Sequence, residues 1–146
     1  MKGLISLKDE DEMKEICRIF NSAKSIAVVG LSDNPLRTSS QIAQFLVDKG
    51  FRVVGVNPLI TGTGGIDVYP NLREVPFEID IVDVFRRSET IPDLVDDILS
   101  VKPKTLWLQQ GIRNDNAVKP VIEEGIYTIQ DKCIAVYYNL CKAFRN

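Results

Sequence analysis

The sequence has no histidine and only three cysteines in 146 residues. Without histidine it lacks the usual general base near neutral pH and the commonest zinc ligand. Cys17, Cys133 and Cys141 are an odd set with no Cys-x-x-Cys spacing, and no apolar signal segment precedes the first charged residues. The expectation is a cytoplasmic protein with reduced thiols. No apolar run approaches the ~20 residues that a membrane-spanning helix needs, so no membrane partner is expected. Excess charge is lacking too: 18 Lys and Arg stand against 20 Asp and Glu, a net charge of -2. Nucleic-acid binders concentrate uncompensated Lys and Arg, so that partner is disfavoured.

What is present is an ordinary globular composition, 45% hydrophobic, on a chain of about one domain's length. No repeat, linker or low-complexity tract divides it, and residues 1–146 read as a single domain. Met13, Ile16, Cys17 and Phe20 recur at helical spacing behind Asp9 and Glu12, predicting a helix over 9–22. Residues 25–30 are an apolar run too short for a helix, hence strand 1. Thr38 to Gln41 matches a capping box ahead of the Ile42, Phe45, Leu46 stripe, and Gly50 is placed to end that helix. Strand 2 over 51–56 closes at Asn57-Pro58, and 59–65 reads as a loop.

A brief extended stretch at 66–69 and a helical turn at 71–75 precede strand 3 over 79–85. Thr90 to Asp93 is a second capping signature, giving a helix over 90–101. Strand 4 spans 105–109, Asn114 caps a helix to about 124, and strand 5 spans 126–129. Pro120 conflicts with that last helix, because inside it a backbone bond is lost. Strands alternating with single helices call for right-handed parallel crossovers, an α/β doubly wound parallel sheet of about five strands with helices on both faces.

Such sheets bind ligands beyond the carboxyl ends of their strands. The candidates are therefore the loop from Gly30 to Thr38, with Leu31, Ser32, Asn34, Pro35 and Arg37, then Asn57-Pro58, Phe85-Arg86-Arg87 and Gln109-Gln110-Gly111. Gly30 permits a tight turn, Ser32, Asn34, Thr38 and Ser39 offer neutral hydrogen-bond groups, and Arg37 supplies a fork-shaped cation suited to phosphate. The dinucleotide pattern Gly-x-Gly-x-x-Gly is missing after strand 1, and strand 2 ends in Asn57-Pro58 where an acidic ribose partner would stand. No glycine-rich turn ends in Gly-Lys-Ser/Thr either.

The ordered set Gly-Leu-Ser-x-x-Pro-x-Arg at 30–37, Val-Asn-Pro at 56–58, Gly65 to Tyr69-Pro70, Asp83-Val-Phe-Arg86, Trp107-Leu-Gln109 with Gly111, and Asp131-Lys-Cys133 resembles the small stand-alone CoA-binding proteins. These are similar to the CoA-binding domains of the succinyl-CoA synthetase α subunit and of ADP-forming acyl-CoA synthetases. The resemblance covers roughly 10–140. It implies a Rossmann-like fold holding CoA or an acyl-CoA, with Gly30, Ser32, Arg37, Asn57, Pro58 and Arg86 as the foremost contacts. Arg87 leaves open which arginine faces the ligand. The larger enzymes use further domains and a phosphorylated histidine, which this chain does not have.

The expected function is thus a non-catalytic CoA or acyl-CoA binding protein acting as a carrier, sensor or accessory subunit. The alternatives are an NAD(P)-dependent oxidoreductase and an acyl-CoA-handling subunit completed by another chain. Homodimerisation is a base-rate expectation. Cys133 could exchange with the CoA thiol, though an unpaired cysteine more often packs as a small apolar group. Asp80 and Asp83, taken as lying on one face of strand 3, raise a carboxylate pair, against Asp80 simply marking the strand entrance. Trp107 reads as core.

Overall fold

Residues Ser25–Val29 form β1, and all five are buried, as a strand covered on both faces requires. The computed structural model describes residues 7–144. Ahead of β1 lies α1 (Leu7–Ser22), and after it come α2 (Thr38–Asp48), β2 (Arg52–Val56), β3 (Gly62–Thr63) and β4 (Ile66–Tyr69). A 3₁₀ turn (Leu72–Glu74) leads to β5 (Ile81–Val84), and a 3₁₀ helix (Ser88–Leu94) runs into α3 (Val95–Val101). The remainder is β6 (Thr105–Leu108), α4 (Asp115–Glu123), β7 (Tyr127–Ile129) and α5 (Ile134–Phe144).

The strands make one seven-stranded sheet in the order β3-β4-β2-β1-β5-β6-β7. Every pairing is parallel except β3 with β4. The doubly wound α/β architecture is therefore as expected, but with two more strands than the five anticipated. The additions, β3 and β4, lie in the loop and the brief extended stretch after strand 2. Two residues of β3 cannot announce a strand by periodicity, since their pairing depends on β4 lying beside them.

Alternation along the strands divides the core. Ile26, Val28, Ile81 and Trp107 face α1, α2 and α5, where they meet Ile16, Phe20, Leu46, Ile134 and Tyr138. Ala27, Val29, Val82, Val84, Leu106 and Leu108 face the other way, onto Ile91, Ile98, Val118 and Val121. Trp107 is fully buried and its Nε1 donates to the Lys132 carbonyl at 2.8 Å, so it is core as expected.

Several local expectations change. Arg37, not Thr38, occupies the cap position of α2, with extended backbone and no capping side-chain bond. The helix expected over 90–101 is 3₁₀ as far as Leu94, because Pro92 donates no backbone hydrogen bond and disfavours α geometry at Ile91. Asn114 does cap α4, its side chain accepting from the Ala117 N–H, and Pro120 is accommodated on the exposed side of that helix. No element was expected over α5. The expectation of three reduced cysteines also fails: Cys17 of α1 and Cys141 of α5 are joined as a disulfide, leaving Cys133 free.

Asp80 and Asp83 do not pair. A spacing of three puts them on opposite sides of a strand whose period is two. Asp80 sits at the strand entrance, accepting from the N–H groups of Lys24 and Ser25 at 2.7 and 3.1 Å. Burial opposes charge on Asp80, but those two donors and nearby Lys104 hold its carboxyl below the ordinary value. Asp83 is fully buried beside Val28 and Trp107, and neither carboxylate oxygen has a hydrogen-bond partner. Burial pushes its carboxyl well above the ordinary range.

Candidate functional site

The carboxyl ends of β1, β2 and β5 are tied together by backbone bonds from Gly30 to Val56 and from Phe85 to Val29. Gly30 adopts φ +89°, and a Cβ there would stand 2.6 Å from the Phe85 carbonyl oxygen. Glycine is therefore required both by the turn and by the close approach of the next strand.

Beyond Gly30 the loop is held by its own side chains. Ser39 Oγ accepts from the Ser32 N–H, Ser40 Oγ donates to the Ser32 carbonyl, and Ser32 Oγ accepts from the Asn34 N–H. Asn34 Oδ1 accepts from the Leu36 N–H. Asn57 clamps this loop to the next: its Nδ2 donates to the Leu31 carbonyl and its Oδ1 accepts from the Leu59 N–H, each at 2.9 Å. These bonds hold the loop that leads into α2, whose cap residue Arg37 makes no side-chain hydrogen bond to the helix start.

A cavity of about 550 Å3 opens there. Of the residues picked from the sequence, it is lined by Gly30, Ser32, Arg37, Thr38, Ser39, Phe85, Arg86, Arg87, Gln109, Gln110, Gly111 and Cys133. A second cavity of about 410 Å3 receives Asn57 and Pro58 and shares Gly30 and Arg86 with the first. Leu31 and Pro35 line a third hollow beside α2, and Leu31 is wholly buried. Asn34 lines none of the three.

Two residues singled out from the sequence serve the frame, one through its side chain and one through its backbone. Gln109 Oε1 accepts from the Ile134 N–H at the start of α5, and the Gly111 N–H donates to Asp131 Oδ1 at 2.6 Å. Sequence alone cannot distinguish an amide that grips backbone from one that grips a ligand, because both uses need the same donors and acceptors.

The arginines separate more sharply. Arg18, Arg73, Arg87 and Arg113 are each ion-paired with a carboxylate, and Arg52 lies over the Phe77 ring. Among the described residues, Arg37 and Arg86 alone have neither kind of partner, and both line the first cavity. Arg87 also lines it but is 80% exposed and engaged with Glu89. The arrangement presents two unclaimed guanidinium groups beside an uncapped helix start, a combination suited to a phosphate-bearing ligand.

The family model for the CoA binding domain matches residues 24–139. The chain belongs to this family. It is 40% identical over 128 residues to the uncharacterized protein YneT of Bacillus subtilis (strain 168), covering 88% of this chain and 95% of that one. A solved structure from Thermus thermophilus, cell-free ID.343, superposes with a TM-score of 0.85 at 31% identity, covering 88% of this chain and 98% of the other. The dinucleotide forming acetyl-coenzyme A synthetase 1 of Ca. Korarchaeum cryptofilum is similar at 25% identity and a TM-score of 0.64. There 76% of this chain aligns with 26% of the larger protein.

Sequence reasoning did not pick out Ile112 in the first cavity or Pro70, Asn71, Asp93 and Asp97 in the second. Asp93 and Asp97 fall between the apolar positions of the segment after β5, whose stripe predicts packing but says nothing about what its other side borders.

Proposed function

We propose that this chain is a single module that binds CoA or an acyl-CoA without catalysing a reaction on it, as a carrier, sensor or accessory subunit. One observation carries the reading: in a member of the CoA binding domain family, the two arginines left unpartnered among the described residues line one cavity with the uncapped start of α2. CoA carries a diphosphate, and guanidinium forks with backbone donors at a helix start are the groups that recognise it. Contacts are assigned to Gly30, Ser32, Arg37, Thr38, Phe85 and Arg86, with Asn57, Gln109 and Gly111 shaping the walls.

A second reading is an acyl-CoA-handling subunit completed by another chain. It is favoured by the likeness to a part of the acetyl-coenzyme A synthetase. The NAD(P) reading has less support, since Asn57-Pro58 follows β2 where an acidic ribose partner would stand, and Asn57 is engaged at both ends of its side-chain amide.

The test is thermal stabilisation by CoA, acetyl-CoA, dephospho-CoA, NAD, NADP and AMP at equal concentration. A ligand at a hundredfold excess over its dissociation constant adds about 2.7 kcal/mol, or roughly 5–10 °C in Tm for a chain of this length. CoA or dephospho-CoA should give that shift. A response to NAD with none to either CoA form would overturn the proposal in favour of an oxidoreductase.

A further inference from the structure

Among the described residues Asp83 is the one acidic or basic side chain that is buried, and neither of its carboxyl oxygens has a hydrogen-bond partner. It is the third residue of β5, in register with Val28 of β1 and Trp107 of β6, whose side chains share its face of the sheet. That face is closed by Ile16 and Phe20 of α1, Ile42 and Leu46 of α2, and Ile134 of α5. Its other ionisable groups are Tyr138, with Tyr127, Cys133 and Tyr137 at the margins, while Cys17 and Cys141 are joined to each other. No charged group offsets the burial of Asp83.

Two residues further along the same face stands Phe85, which packs against this core and also lines the first cavity. Phe85 thus stands between Asp83 and the cavity. The pairing of β5 with β1 and β6 ends at Val84, so the strand carries Asp83 one residue from its open end.

We infer that Asp83 is a proton-operated latch on the ligand site: as the neutral acid it lets β5 close beneath Phe85 and Arg86, and as the carboxylate it draws water past Phe85 and loosens that end of the strand. The inference rests on the CoA reading. A neutral carboxyl can remain in an apolar layer, whereas a carboxylate with neither donor nor cation facing it must be hydrated. Hydration from the cavity side displaces Phe85 and with it Arg86, one of the two cations assigned to the ligand. Burial holds the Asp83 carboxyl well above its ordinary range, so the latch opens as pH rises. By linkage, ligand binding to the opened form takes a proton back.

Titration calorimetry with CoA from about pH 7 to about pH 9 tests this, above the second ionisation of a phosphate at about 6. The whole chain is used in a Cys133→Ser background, so that the thiol lining the cavity does not titrate in the same window. Affinity should fall as pH rises, by up to about tenfold per pH unit once the open form prevails. Binding there should take up a proton, seen as a heat that changes with the ionisation enthalpy of the buffer. Adding Asp83→Asn should flatten the profile and abolish the uptake. In the parent, the infrared carbonyl band of a neutral carboxyl should fade over the range in which affinity falls, a readout that holds even if the Asn variant does not fold. A flat profile in the parent, a slope that survives Asp83→Asn, or a band that does not fade with affinity overturns the inference and leaves the CoA reading standing. Failure of CoA to bind at every pH overturns the CoA reading, and this inference with it.

Discussion

The two ends of the sheet use charge in opposite ways. At the amino ends of the strands the charges of Asp80, Lys104 and Arg52 are answered within the protein: Asp80 accepts from two backbone N–H groups and meets Lys104 at 3.7 Å, while Arg52 rests on Phe77. At the carboxyl ends the hydrogen-bonding effort goes into holding loops, and Arg37 and Arg86 are left without an internal partner. Chemistry that is already satisfied stabilises the fold, and chemistry left unsatisfied is available to a ligand. The same residue type can therefore be structural at one end and functional at the other.

Three substitutions probe that contrast. The largest effect is expected from Gly30→Val, which places a branched side chain at φ +89° and against the Phe85 carbonyl. It should cost about 3 kcal/mol or more in denaturant unfolding and abolish CoA binding, since fold and site meet at this residue. Next comes Arg37→Ala, expected to weaken CoA by roughly 1–3 kcal/mol in calorimetry while leaving the melting temperature in place. Unchanged affinity would remove Arg37 from the site and blur the distinction between the ends.

The smallest effect, and the mirror image, is Asp80→Asn. It should lower stability by about 1–2 kcal/mol near neutral pH and leave CoA affinity unaltered. The pH dependence has a definite sign. Because the folded-state value of Asp80 is lowered, its contribution is present above the unfolded-state value of about 3.9 and is lost as pH falls through the folded one. Unfolding curves of Asp80→Asn should accordingly lack part of the acid-side decline seen in the parent. A loss of CoA affinity in this variant would contradict the separation of roles.

Much of this was legible in the sequence. Apolar runs of four or five residues between helical stripes gave the central strands, and Asn114 marked the start of α4. The candidate loops at the carboxyl ends of the strands followed from the rule for parallel sheets, and twelve of the residues named from the sequence do line the first cavity. Less visible were features decided by distant neighbours. Helix α5 begins without a capping signature because Gln109, 25 residues earlier, supplies the acceptor for its first N–H. Leu31 stands inside the ligand loop by position, yet it packs wholly into the core. Asp83 gives no warning in sequence that it enters the interior unpartnered, and no local pattern relates Cys17 to Cys141.

That pairing closes a covalent ring around nearly the entire chain, its two sulfur-bearing positions lying 124 apart in sequence. A protease that nicks any surface turn inside the ring, such as the glycine-rich stretch from Thr61 to Gly65, leaves both fragments tethered until a reductant is added.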